Sequence, residues 1–152
     1  MITIRVVCVG KLKERFWQEA QGEYVKRLSR FCKTEIIELE EQNKFDNIEK
    51  IIALEGEEIL NSLSGKNILL DLNGKELASE QFANKIETIA LENSTITFVI
   101  GGSYGVSNAV KQKIGDKLSF GKATYPHNLA RIILLEQIYR AFMINSNCKY
   151  HK

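Results

Sequence analysis

Five runs of consecutive apolar residues alternate along this chain with stretches in which apolar residues recur every three or four positions. Residues 2–9, "ITIRVVCV", are β-branched and end at Gly10, which predicts a strand. Phe16, Trp17, Ala20, Tyr24, Leu28 and Phe31 then recur at helical spacing. "EIIEL" (35–39) predicts a short strand and "EEQNKFDN" (40–47) a polar loop. Ile48, Ile51, Ile52, Ile59 and Leu63 mark a second helix. "NILLDL" (67–72) predicts a strand stopped by the turn "NGKE", and Ser79 is an N-cap for a helix carrying Phe82, Ile86, Ile89 and Ala90. "TITFVI" (95–100) is the fourth strand, a short helix from Ser107 to Ile114 closes at Gly115, and "KLSF" (117–120) is the fifth strand. The last helix runs from about Leu129 to Ile144. Strands alternating with helices predict an α/β fold, a mainly parallel sheet with helices on both faces.

The last helix departs from the rest. Leu129, Ile132, Ile133, Leu134, Leu135, Ile138, Phe142 and Met143 point in nearly all directions at 100° per residue. Apolar residues all round imply burial on more than one side, and in a small chain that predicts a subunit interface. Glu136 and Arg140 interrupt it at i and i+4, the spacing of an ion pair.

Length sets one domain, residues 1–152, with an average globular composition. The net charge of +2 does not argue for nucleic acid, but its distribution is uneven. Both ends are basic around an acidic stretch at 35–58. That is the pattern either of one face meeting an anionic partner or of ordinary solvated helices. Cys8, Cys32 and Cys148 lack metal-ligand spacing, and two histidines, His127 and His151, exclude a histidine-rich metal site. The first strand is too short and wrongly flanked for a signal peptide, and no apolar run reaches membrane-spanning length. A cytoplasmic protein with reduced thiols is expected, without metal or membrane.

In parallel sheets ligands sit at the carboxyl ends of strands. Three strand ends are unusual here: Leu70 and Asp71 before "LNGK", then Gly101 to Gly105 as "GGSYG", then Phe120 to His127 as "FGKATYPH". Glycines let backbone amides approach a ligand, and a loop opening onto a helix aims free N–H groups at it. The usual dinucleotide fingerprint is missing, because Gly10 stands alone after the first strand. There is no P-loop and no G-x-S-x-G elbow.

"FVIGGSYGV", "LSFGKATYPHNLARIILLEQIYRAFMI" and the terminal "YHK", with the opening "VVCVGKLKERFWQEAQGEYVKRL", resemble the RlmH family over the whole chain. These are bacterial 23S ribosomal RNA pseudouridine N3-methyltransferases of the SPOUT (α/β-knot) superfamily. The resemblance implies a C-terminal trefoil knot, an exception to the rule against knotted chains. It implies S-adenosyl-L-methionine bound in that knot, which explains why the glycine loops come late. By matching position, Leu70, Gly101, Phe120, Gly121, Lys122, Ala123, Thr124 and Tyr125 become the expected cofactor contacts. Gly121 stands where the family often has Ser. A homodimer acting on 23S rRNA within the ribosome is implied as well.

Methyl transfer to an imide N3 needs in-line positioning and either a base or donors that stabilise the anionic ring. Arg140 and His151 are the catalytic candidates, and Arg131, Tyr150 and Lys152 the candidate RNA contacts. Two alternatives stay open: a SPOUT methyltransferase acting on transfer RNA, and a non-catalytic RNA-binding SPOUT module.

Overall fold

A computed structural model describes residues Met1–Lys152. Strands β1 (Thr3–Val9), β2 (Lys33–Leu39), β3 (Lys66–Glu76), β4 (Thr95–Ile100) and β5 (Lys117–Ser119) alternate with helices α1 (Arg15–Leu28), α2 (Ile48–Asn61), α3 (Ser79–Glu92), α4 (Asn108–Lys113) and α5 (His127–Asn145). All strand pairs are parallel, in the order β2-β1-β4-β3-β5.

The alternation within β1 divides the core. Ile4, Val6 and Cys8 join Ile96, Phe98 and Ile100 of β4 in the larger cluster, under α1, α3 and α5. Val7 and Val9 join Leu69, Val99, Ile59, Val110 and Ile114 in a smaller one under α2 and α4. Burial on both faces is why these strands read as unbroken apolar runs.

Two local expectations are corrected. The "NGKE" segment does not end β3: Leu70 and Lys75 both pair with Leu118, so residues 71–74 loop out and the strand resumes. Gly74 permits this, since a Cβ there would stand 2.7 Å from the Leu118 backbone nitrogen. Ser79 is the first helical residue rather than the cap. Its hydroxyl donates to Gln137 of α5 at 2.9 Å, while Gln81 closes the helix start by accepting the Ala78 N–H.

The all-round apolarity of α5 has an explanation inside one chain. Leu134, Leu135, Ile138, Tyr139, Ala141 and Met143 are buried as α5 lies on the sheet beside α1 and α3. Ile138, at 0% exposure, is core and not interface. The opposite stripe, Leu129, Ile132, Ile133, Glu136, Gln137 and Arg140, stays half-buried. Ile138→Ala is expected to lower unfolding free energy by about 2–5 kcal/mol, the range for an aliphatic core truncation. Denaturant unfolding measures it, and a loss under about 1 kcal/mol contradicts this packing.

Candidate active site

The carboxyl ends of β3, β4 and β5 and the first turn of α5 enclose a cavity of about 620 Å³, within the range of small-molecule sites. Among the residues matched to the family, Leu70, Gly101, Phe120, Gly121, Ala123, Thr124 and Tyr125 line it, and Lys122 does not. The position-by-position family match did not name other lining residues: Asp71, Leu72 and Asn73 from the looped-out segment, Lys111 of α4, and His127 and Ala130 of α5. The quoted loops contained most of them, but nothing in residue type separated a wall residue from a turn residue.

Each wall is built by a local device. A Cβ on Gly101 would come within 2.5 Å of Val106 Cγ1, so glycine lets the loop fold back on itself. The Gly105 N–H donates to the Gly102 carbonyl at 3.0 Å, and Gly105 has φ +84°. In the next loop the Ser119 hydroxyl donates to the Gly121 carbonyl at 2.9 Å and accepts the Gly121 N–H at 3.2 Å. Gly121 has φ +117°, a backbone that favours glycine.

Arg131 is a correction. It is 1% exposed and not free to meet a phosphate. Its Nη1 donates to Glu38 Oε2 at 2.7 Å and Gln21 Oε1 at 3.1 Å, and Nη2 donates to the Gly10 carbonyl at 3.0 Å. It joins α5 to the ends of β1 and β2 and to α1. Nearby, His127 Nε2 stands 3.7 Å from Glu41 Oε1.

Arg140 and His151 meet each other but not the cavity. Arg140 lies 13 residues along α5 from His127, about 20 Å at 1.5 Å per residue. Glu136 accepts from Arg140 Nε at 3.1 Å and from Nη2 at 3.1 Å, pushing the guanidinium pKa up. Arg140 Nη1 lies 3.1 Å from His151 Nδ1, and His151 Nε2 lies 2.6 Å from Glu80 Oε1. Arginine only donates, so Nδ1 is the acceptor and Nε2 carries the proton given to Glu80. Both ring nitrogens are therefore engaged. Tyr150 donates to Glu136 Oε2 at 3.4 Å under the Arg140 guanidinium, and desolvation together with Glu136 pushes its phenol pKa up. The tail is docked on its own α5, with Lys152 left exposed.

Residues 2–151 match the family described as "Predicted SPOUT methyltransferase". The chain belongs to this family. It is 48% identical to a ribosomal RNA large subunit methyltransferase H from Lactobacillus helveticus over 159 positions, 99% of this chain and 100% of that one. Proteins of the same name from Lactobacillus delbrueckii subsp. bulgaricus and Leuconostoc mesenteroides subsp. mesenteroides are each 46% identical with the same coverage. No helix is long and apolar enough to cross a membrane, and no group of three metal-ligating side chains occurs.

Sequence patterns gave no sign of Glu55. It is 4% exposed on α2, with Oε2 accepting the Gln42 N–H at 3.1 Å and Oε1 buried without a partner. Burial pushes its carboxyl pKa up, reinforced by Glu41 and opposed by the Gln42 bond and His127. The folded state therefore holds this proton more tightly than the unfolded chain, whose Glu titrates near about 4.3. Its ionisation costs stability above the raised pKa, and that cost disappears as pH falls below the unfolded value. Glu55→Gln is expected to melt higher than wild type at pH 8, by roughly 2–4 °C if about 1 kcal/mol is recovered. Calorimetry across pH should show this gap closing toward pH 4, and a pH-independent gap would contradict it.

Proposed function

We propose that the protein transfers a methyl group from S-adenosyl-L-methionine to N3 of a pseudouridine in 23S rRNA, within the large subunit or the assembled ribosome, in the cytoplasm. The observation that carries this reading is the cavity at the ends of β3, β4 and β5. It is lined by seven of the eight residues that match the family's cofactor contacts, in a chain that aligns end to end with relatives named as rRNA methyltransferases.

The cavity fits the cofactor chemically. Leu70 and Phe120 offer apolar surface to an adenine ring, and the glycine-rich walls offer backbone groups to its edge. Lys111 and the first turn of α5 present positive charge suited to the amino-acid carboxylate. When bound, S-adenosyl-L-methionine supplies an electrophilic methyl on a sulfonium. The trefoil knot belongs to the same reading, carried by the family resemblance.

A homodimer completes it. The catalytic candidates lie about 20 Å from the cavity of their own chain, so a second copy is what brings Arg140 and the tail to a cavity. The half-buried α5 stripe with Leu129, Ile132 and Ile133 is the proposed interface. Contacts of Gln21 with Arg131 and Tyr24 with Tyr139 make α1 and α5 parallel neighbours. Phe16, 62% exposed and tilted against Trp17, adds exposed apolar surface toward the cavity end. There Arg140 and Tyr150 would hold the target base, exposed in a single-stranded loop, while its N3 proton leaves.

Ribosomes lacking the modification, incubated with labelled S-adenosyl-L-methionine, are expected to gain one methyl on 23S rRNA at a pseudouridine N3. Label in transfer RNA instead, or binding without transfer, supports one of the alternatives. Deleting residues 150–152 should leave cofactor affinity within about threefold but slow transfer tenfold or more, the mark of groups acting on RNA or in the transition state. Ile133→Asp should give monomers by light scattering and abolish transfer, because the dimer would bury an unpaired charge. An active Ile133→Asp dimer places the interface elsewhere.

A further inference from the structure

Two residues of α2 run against ordinary helix and core preferences, and both touch the glycine loop after β4. Gly56 sits in the helix interior, where glycine is less favourable than alanine. A Cβ there would stand 2.5 Å from Ser107 Oγ, so α2 presses directly on the end of that loop. Beside it, Glu55 is a buried carboxyl with no cation paired to it. Its Oε1 has no hydrogen-bond partner at all.

The orphan oxygen has a definite neighbour. A Cβ on Gly102 would lie 3.0 Å from Glu55 Oε1 and 3.1 Å from Val9 Cγ1, so Gly102 leaves the room that the carboxyl occupies. Gly102 also lines the cavity on its other side. The carboxyl thus backs the cavity wall, and its second oxygen ties in the loop after β2 through Gln42. A buried acceptor left unfilled is costly, and replacing such a group by an apolar one of similar shape is often neutral or stabilising. Local rules are broken in this way mainly where function requires it.

We propose that Glu55 is a positioning residue for the cofactor loop: its Oε1 is a reserved acceptor that takes a backbone N–H of the Gly101–Gly105 segment as that segment settles around the cofactor. Glu55 touches neither the cofactor nor the reacting atoms. It fixes the height of the wall on which the cofactor rests and couples that wall to the loop after β2. The proposal rests on the cofactor assignment above.

The test uses Glu55→Met, which keeps length and helix preference but removes both acceptors, and Glu55→Gln, which keeps an oxygen on the side chain. Three readouts are needed: melting temperature, calorimetric Kd for S-adenosyl-L-methionine, and amide hydrogen exchange over residues 101–107. Glu55→Met should fold with a melting temperature at or above wild type. It should bind tenfold or more weakly, the size of one lost hydrogen bond to a carboxylate, and its loop should exchange faster. Glu55→Gln, with one acceptor oxygen for two N–H donors, should fall between wild type and Glu55→Met in Kd. Wild-type affinity and loop exchange in Glu55→Met overturn the proposal. So does a weakening that merely tracks a lower melting temperature. If wild-type protein fails to bind S-adenosyl-L-methionine, the cofactor assignment falls and takes this proposal with it, whereas wild-type binding that Glu55→Met leaves unchanged overturns the proposal alone.

Discussion

One guanidinium fixes where the last helix begins. Arg131 reaches from the start of the second turn of α5 to the Gly10 carbonyl at the end of β1, to Glu38 on β2 and to Gln21 on α1. The Leu12 N–H shares the same Glu38 oxygen. A charge this deeply buried adds little net stability, but removing one partner strands the other, so the arrangement holds only as a set. The geometry of the cavity follows from it. His127 and Ala130 are wall residues because Arg131 holds their turn against the strand ends, and the loop from Phe120 to Pro126 must span from β5 to that fixed point.

Around this tie the molecule separates its tasks. The larger core cluster, under α1, α3 and α5, holds the sheet together and carries the docked tail at the far end of α5. The smaller cluster, under α2 and α4, braces the glycine loop from behind through Glu55 and Gly56. Between them lie the loops beyond the strand ends. Their shape comes from glycine conformations, the Ser119 hydroxyl and the excursion at 71–74, all set by neighbouring elements.

The α/β architecture was legible because both periodicities in the chain reflect simple burial rules. β1 and β4 are apolar throughout because both faces are covered, and α2 and α3 repeat at helical spacing because one face is. The loops were legible as loops, and the family's motifs pointed to most of the cavity wall. What escaped depended on partners distant in sequence. Arg131 looked like any basic residue near a basic end until Glu38, 93 positions away, came to lie beside it. The apolar girth of α5 appeared to need a second subunit, when α1 and α3 already cover most of it. The interruption of β3 looked final because the strand on which it resumes lies more than forty residues later. Glu55 reads as one of several acidic residues on a solvated helix, and only the packing of α2 against Gly102 sets it apart.

The strand order also orders the birth of the protein in time. β1 lies between β2 and β4, and β3 lies between β4 and β5, so no early stretch of the chain can complete a sheet on leaving the ribosome. The apolar faces of β1 wait for residues 95–100, and α1 waits for α5 to cover its inner side. Every wall of the cavity comes from residue 70 onward, with its last piece in the final helix. Long-range pairings of this kind form late and slowly. A chain stalled before α5 therefore has neither a cavity nor a closed core, and ligand-binding competence arises only once α5 has been made.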